Sequence, residues 1–275
     1  MSLDISGIAI VTGAGSGIGR DCALGLAAAG ARAVVFADIN LEAAKDAAMA
    51  SSEFATNPNY SELSLAVDVT DISSVIYMVD TCLERYGRID YLVNSAGLGV
   101  KKPAEVAEAD LQEFDDFYRV NVKGTLHCIR EVSHVMREQT PLEAVGRNGP
   151  RIVGRGSIVN IASLNSFLAS PGIVQYTTSK HAMLGLTRSA ALDNASYGIR
   201  VNAVCPSWVQ TPMVDAALEG NPPLKDAIQH MIPLGRIAQV EEVSDVVVFL
   251  ASPKSSYVNG VGWPIDGGLL SGRAL

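Results

Sequence analysis

Apolar residues follow two alternating rhythms along this chain. Short unbroken runs stand at Ile8-Ala9-Ile10-Val11, Val34–Ala37, Leu63–Val67, Tyr91–Asn94, Ser157–Ile161 and Arg200–Val204. Each is flanked by Gly, Asp, Asn or Pro, the pattern of a strand buried on both faces. Amphipathic stretches lie between them at about 18–29, 41–51, 71–86, 107–138, 175–196 and 240–251. Strand–helix alternation of this kind predicts an open α/β fold, a doubly wound parallel sheet of about seven strands with helices on both faces.

Two segments interrupt the rhythm. Residues 139–156 hold Pro141, Gly146, Gly149, Pro150, Gly154 and Gly156 with Arg147, Arg151 and Arg155, which reads as a mobile surface loop. Residues 206–235 hold Pro206, Pro212, Pro222, Pro223 and Pro233 around a short helical stretch. An irregular excursion after a strand's carboxyl end is where an α/β enzyme carries a substrate lid. Nothing resembling an interdomain linker occurs, so residues 1–275 are expected to form one domain.

Composition narrows the function classes. The 275 residues are 48% hydrophobic with a net charge of −8, which argues against a nucleic-acid partner. No apolar run is long enough for a membrane span. No basic stretch with an apolar core and cleavage site precedes the first strand, so a cytoplasmic location is expected. Cys22, Cys82, Cys128 and Cys205 are widely spaced and read as free buried thiols, with no metal site.

The first candidate chemistry is Thr12-Gly13-Ala14-Gly15-Ser16-Gly17-Ile18-Gly19, between the first strand and the first helix. Pyrophosphate needs close approach to backbone N–H groups at a helix N-terminus, which glycine permits. The spacing is G-x-x-x-G-x-G on Gly13, Gly17 and Gly19, with Thr12, Ser16 and Ile18 as neighbours in the same cofactor site. Asp38 ends the second strand, placed to accept hydrogen bonds from adenosine ribose hydroxyls and to repel a 2′-phosphate. No Lys or Arg follows it, so NAD is expected over NADP. The plain alternative is that Asp38 caps the next helix, a role Asn40 can fill. Asp68, with Val69 beside it, can meet the adenine or cap the helix near Asp71. Asn94, Ala96 and Gly97 close the fourth strand with a run in which small residues let a ligand lie against the backbone.

The second candidate chemistry is Tyr176 and Lys180, four apart and thus on one helix face. Ser163 lies just past the strand Ser157–Ile161. A phenol is a poor base at neutral pH, but a neighbouring ammonium and a positive nicotinamide favour phenolate. Tyr176 can then move the proton while Ser163 holds the substrate oxygen. Alone, the pair is as readily a surface Tyr and a solvated Lys; its weight comes from the glycine turn, Asp38 and Ser163. Met213, Met231, Trp208 and Leu218 read equally as a lining for an apolar substrate or as packing within the lid. His127, His134, His181 and His230 show no metal-binding pattern.

Together these residues resemble the short-chain dehydrogenase/reductase family, in its compact single-domain, Rossmann-type branch. The match covers nearly the whole chain: Thr12-Gly13…Gly17…Gly19, Asn94-x-Ala96-Gly97 with Ser95 where Asn is more usual, Asn121, the Ser163/Tyr176/Lys180 set, Arg200-Val201-Asn202 and Asp266-Gly267-Gly268. The resemblance implies a catalytic set of Ser163, Tyr176, Lys180 and Asn121, the last supporting a water-linked proton relay. It also implies that Lys180 and Tyr176 bind the nicotinamide ribose region and that Pro206, Val209 and Thr211 bind near the carboxamide. A homo-oligomer, tetramer or dimer, is implied as well, packing through helices near 107–138 and 175–196. One departure stands out: Pro206-Ser207-Trp208 where the family often has Pro-Gly. The activity expected is NAD-dependent interconversion of a small-molecule secondary alcohol and a ketone. The alternative is a catalytically silent dinucleotide-binding regulator, and a methyltransferase would leave the Tyr/Lys pair unexplained.

Overall fold

The structure, a computed structural model, describes residues 5–220 and 223–272. Strand β1 (Ile8–Thr12) leads to helix α1 (Gly17–Ala28), β2 (Ala33–Asp38), α2 (Leu41–Ser51), β3 (Ser61–Ala66), α3 (Ile72–Tyr86) and β4 (Tyr91–Asn94). Then come α4 (Leu111–Phe117), a π-helical segment Tyr118–Gly124 and α5 (Thr125–Glu138). A hairpin β5 (Leu142–Gly146) and β6 (Gly149–Gly154) precedes β7 (Gly156–Ile161), α6 (Val174–Ala195) and β8 (Ile199–Pro206). The chain ends through α7 (Pro212–Gly220), α8 (Pro223–Met231), α9 (Val240–Ala251) and β9 (Gly262–Ile265).

Seven parallel strands form one sheet in the order β3-β2-β1-β4-β7-β8-β9. The order reverses direction at β1, so a crevice opens beyond the carboxyl ends of β1 and β4. Side chains alternate across the sheet, as a strand's period of two requires. Ala9, Val11, Val34 and Phe36 pack with Leu26 of α1 and Val243 and Val247 of α9 on one face. Ile8, Ile10, Val35 and Leu92 pack with Met78 of α3 and Val132 of α5 on the other. All four cysteines are free and buried.

Capping explains several element starts. Asn40 caps α2 by accepting from Ala43 N, and Asp71 caps α3 by accepting from Ser73 N. Gly87 ends α3 in a left-handed conformation at φ 78°.

Three expectations need correction. Residues 139–156 are not an irregular loop: β5 and β6 pair antiparallel, with Val145 opposite Pro150. Their apolar side chains point outward, Val145 being 81% exposed and Ile152 69% exposed, so no buried face advertises the strands. The stretch 107–138 is not one helix, because Tyr118–Gly124 widens into a π-helical turn between α4 and α5. The segment 206–235 holds two helices, α7 and α8, with a cluster of its own on Ile228, Ile232 and Ile237.

Candidate active site

The carboxyl ends of β1, β2, β3, β4, β7 and β8 border a cleft of about 410 Å³. Under β1, Gly13 turns the chain at φ 66°, and a Cβ there would lie 2.7 Å from Ala96 N. A Cβ on Gly19 would lie 2.2 Å from Gly13 O, so α1 rests directly on the turn. Thr12 is buried, and its Oγ1 accepts from Ser95 N at 3.2 Å and Ala96 N at 3.3 Å, locking the ends of β1 and β4 together. Helix α1 starts after Ser16 with no side-chain cap and no acidic residue in its first turn. Its N–H groups and dipole are therefore unmatched where Gly13, Ser16, Gly17 and Ile18 line the cleft. This cradle, together with the acid at the end of β2, fits a nicotinamide dinucleotide.

Asp38 lines the cleft, accepting from Gly15 N and Asn40 N, each at 2.9 Å. The capping alternative is settled: Asn40 caps α2. Asp68 and Val69 also line the cleft; Asp68 accepts from Thr70 N at 2.8 Å, while Asp71 caps α3. Ala96 and Gly97 form part of the wall. Asn94 does not: its buried side chain donates to Asn160 Oδ1 at 2.9 Å, and Asn160 in turn donates to Thr187 Oγ1. Asn94 and Thr12, with Gly19, shape the site from behind instead of facing it.

At the other end, α6 presents Tyr176 and Lys180 to the cleft. Phe117 meets the Tyr176 ring edge-on at 6.1 Å between centroids, and Lys180 Nζ lies 5.6 Å from that ring's centre. Lys180 Nζ donates to Ile161 O at 2.9 Å. Ser163, buried past the end of β7, accepts from Asn165 N at 3.2 Å and lies near enough to Tyr176 to favour its ionised form. Burial pushes the Lys180 ammonium down to about 8. Burial also pushes the Tyr176 phenol upward, and Ser163 pulls it partly back. Burial is the largest influence on the phenol in the protein by itself, so its pKa stands above the usual range before any cofactor charge is added.

Asn121 is fully buried inside the π-helical turn. Its Oδ1 accepts from Leu98 N at 2.9 Å and its Nδ2 donates to Ser179 Oγ at 3.1 Å. It ties the loop after β4 to α6 and so sets the distance between the two halves of the cleft.

Residues that follow β8 also border the cleft. Pro206, Val209 and Thr211 line the cleft, and the Thr211 methyl would be 3.4 Å from a Cβ on Gly17. Met213 packs against Gly99, where a Cβ would lie 2.7 Å from its Cγ. Of the four apolar lid candidates, Met213 lines the cleft, Trp208 and Leu218 pack against Ile228, Ile232 and Ile237, and Met231 is exposed away from both. Several lining residues escaped the sequence reading, among them Ile39, Leu98, Val120 and Val214. Ile39 carried a signal, an apolar side chain 76% exposed directly after the strand-end acid.

Comparison with known proteins agrees with this geometry. Residues 13–270 match the family profile described as Enoyl-(Acyl carrier protein) reductase. A short-chain dehydrogenase, anuF of Penicillium roqueforti, is 54% identical over 268 residues, 98% of this chain and 97% of its own length. The crystal structure of levodione reductase superimposes with a TM-score of 0.86 at 33% identity, covering 98% of this chain and 99% of that one. The structure of ElxO with NADP bound superimposes with a TM-score of 0.83 at 27% identity, covering 97% and 99%. With a shared seven-stranded sheet, a dinucleotide cradle and relatives matched over nearly the full length, this chain belongs to the short-chain dehydrogenase/reductase family and is an oxidoreductase.

Proposed function

We propose that the protein interconverts a secondary alcohol and a ketone with NAD(H), using Tyr176 as the acid/base. The observation that carries this reading is that Tyr176 and Lys180 line the same cleft as the glycine turn and Asp38, with Ser163 buried just past the end of β7. A bound nicotinamide dinucleotide supplies the hydride acceptor or donor. Gly13, Ser16, Gly17 and Ile18 hold its phosphates, Asp38 its adenosine ribose, and Val209 and Thr211 its nicotinamide end. Tyr176 Oη takes the alcohol proton, or returns it to the ketone oxygen. Ser163 also donates to the substrate oxygen and steadies its developing charge. Lys180 contributes the local positive charge, and Asn121 positions the loop after β4 against α6. The lid over residues 206–235 keeps water from the reacting atoms.

Tyr176→Phe tests the mechanism. Turnover falls by about 10²–10⁴-fold while NADH fluorescence titration stays near wild type. Full turnover in this variant refutes the assignment. Cofactor choice has a separate test. The carboxylate of Asp38 repels a 2′-phosphate, so NADH binds more tightly than NADPH. Asp38→Ala narrows that gap by about tenfold or more, equivalent to roughly 1.4 kcal/mol. Equal binding of both cofactors by the wild type overturns the NAD reading.

A further inference from the structure

Ser207 stands after Pro206 where the family often has Gly, and its surroundings give it a role. Strand β7 pairs with β8 through Ile161 opposite Val204. Continuing that register brings Ser163 beside Pro206, so Ser207 follows at the same edge of the sheet. Its backbone N–H is already used, donating to Ile265 O at 3.0 Å. Its side chain lies in a residue that lines the cleft, and the hydroxyl makes no hydrogen bond among the described residues. A glycine here would line the same wall with no polar group to offer.

The rest of that end of the cleft is apolar or already paired. Leu98, Val120, Pro212, Met213 and Val214 line it. The charged lining residues are Asp38 and Asp68 at the ends of β2 and β3, and Lys180. Lys180 Nζ is held by Ile161 O. Among the described residues, nothing beside Tyr176 is arranged to bind a carboxylate or phosphate carried by a substrate, and transfer of such a charge into an apolar wall is costly.

We propose that Ser207 is a specificity residue whose hydroxyl binds a second oxygen of a neutral, largely apolar substrate, a few bonds from the carbon that exchanges hydride. This rests on the alcohol–ketone reading above and names the substrate class it left open. Charge is rejected by the wall, and Ser207 selects among the neutral molecules that remain.

Three probes share one carbinol and one phenyl group and differ at a single substituent: 1-phenylethanol, 1-phenyl-1,2-ethanediol and mandelate. kcat/KM is measured for each with NAD⁺ in the wild type, Ser207→Ala and Ser207→Thr. The wild type favours the diol over 1-phenylethanol and turns mandelate over at least tenfold more slowly than either. Ser207→Ala lowers the diol-to-monool ratio by about fivefold, the size of one neutral hydrogen bond. Ser207→Thr, which keeps the hydroxyl, retains the preference. A ratio unmoved by Ser207→Ala overturns the specificity role, and mandelate turned over as well as the diol overturns the neutral-substrate class. Either result leaves the dehydrogenase reading standing, since turnover itself is observed. Failure of the wild type to reduce NAD⁺ with any of the three, or to oxidise NADH with the matching ketones, overturns both.

Discussion

Lys180 sits enclosed with no carboxylate partner among the described residues, and its ammonium therefore titrates near 8 instead of the ordinary 10.5. Below about pH 8 the folded and unfolded chains both carry this proton, and burial of the charge penalises the fold in full. Between about 8 and 10.5 the folded chain releases it while the unfolded chain keeps it, so stability rises with pH across that window. Tyr176 is shifted in the opposite direction, above its ordinary 10, by burial. Lys180→Met, which fills the same space without charge, should be more stable than wild type at pH 7. That advantage should shrink by on the order of 2–3 kcal/mol by pH 10. Urea denaturation at the two pH values measures it, and a difference that does not change with pH contradicts the buried-ammonium account. At this scale the sequence displayed Tyr176 and Lys180 because a four-residue spacing on a helix is visible without coordinates. It did not display the direction of the Tyr176 shift, because desolvation depends on what packs around the hydroxyl. Nor did it show that Asn94 faces Asn160 instead of the cleft, because strand-end side chains choose a side by register.

Among the elements, α1 and the turn before it form the most tightly specified unit. A methyl at Gly19 meets Gly13 O at 2.2 Å, a backbone atom that cannot yield without moving the turn. At Gly185, in the middle of α6, a Cβ would meet nothing within 4 Å, and the backbone there has no positive φ. Gly19→Ala is therefore expected to lower stability by about 2–3 kcal/mol and weaken NADH binding by about tenfold or more. Gly185→Ala should raise stability by about 0.5–1 kcal/mol, as a helix-interior Gly replaced by Ala does. Denaturant titration with NADH fluorescence distinguishes them, and equal effects would remove the case for a sterically fixed turn. Helices with a clear cap were readable from the chain: α2 and α9 stand at the expected bounds, 41–51 and 240–251. The hairpin β5–β6 was not, because it covers no core and its alternating side chains face solvent. Strand β9 was also missed; Gly262-Trp263-Pro264-Ile265 is short, and its proline fits the sheet edge it occupies. The π-helical turn lies inside a continuous helical pattern, and one extra residue per turn leaves no mark in composition.

On the scale of the molecule, the segment 206–235 has an apolar cluster apart from the two that enclose the sheet, joined to them at Val209. The sheet is enclosed by two large apolar layers, whereas the lid relies on Ile228, Ile232 and Ile237 with Trp208, Val214, Leu218, Leu224 and Leu269 around them. Its backbone ties include Ser207 N donating to Ile265 O of the edge strand β9, Leu234 N to Gly267 O just past it, and Gln210 N to Ala238 O and Ala238 N to Trp208 O ahead of α9. Segments with small private cores open locally at a fraction of the global unfolding free energy. Ile228 and Ile158 are both fully buried, one in the lid cluster and one in β7 between the main layers. Truncating either to Ala removes the same side-chain volume, worth about 2–5 kcal/mol at a packed site. Ile158→Ala should lower the global unfolding free energy by that amount. Ile228→Ala should shift it by less than about 1 kcal/mol, as expected of a segment that opens below the global transition. Its cost should appear as faster amide exchange confined to α7 and α8 and as a raised KM for the substrate. A lid variant that loses as much global stability as the sheet variant would mean that 206–235 folds as part of the sheet domain, and that substrate entry does not depend on its opening.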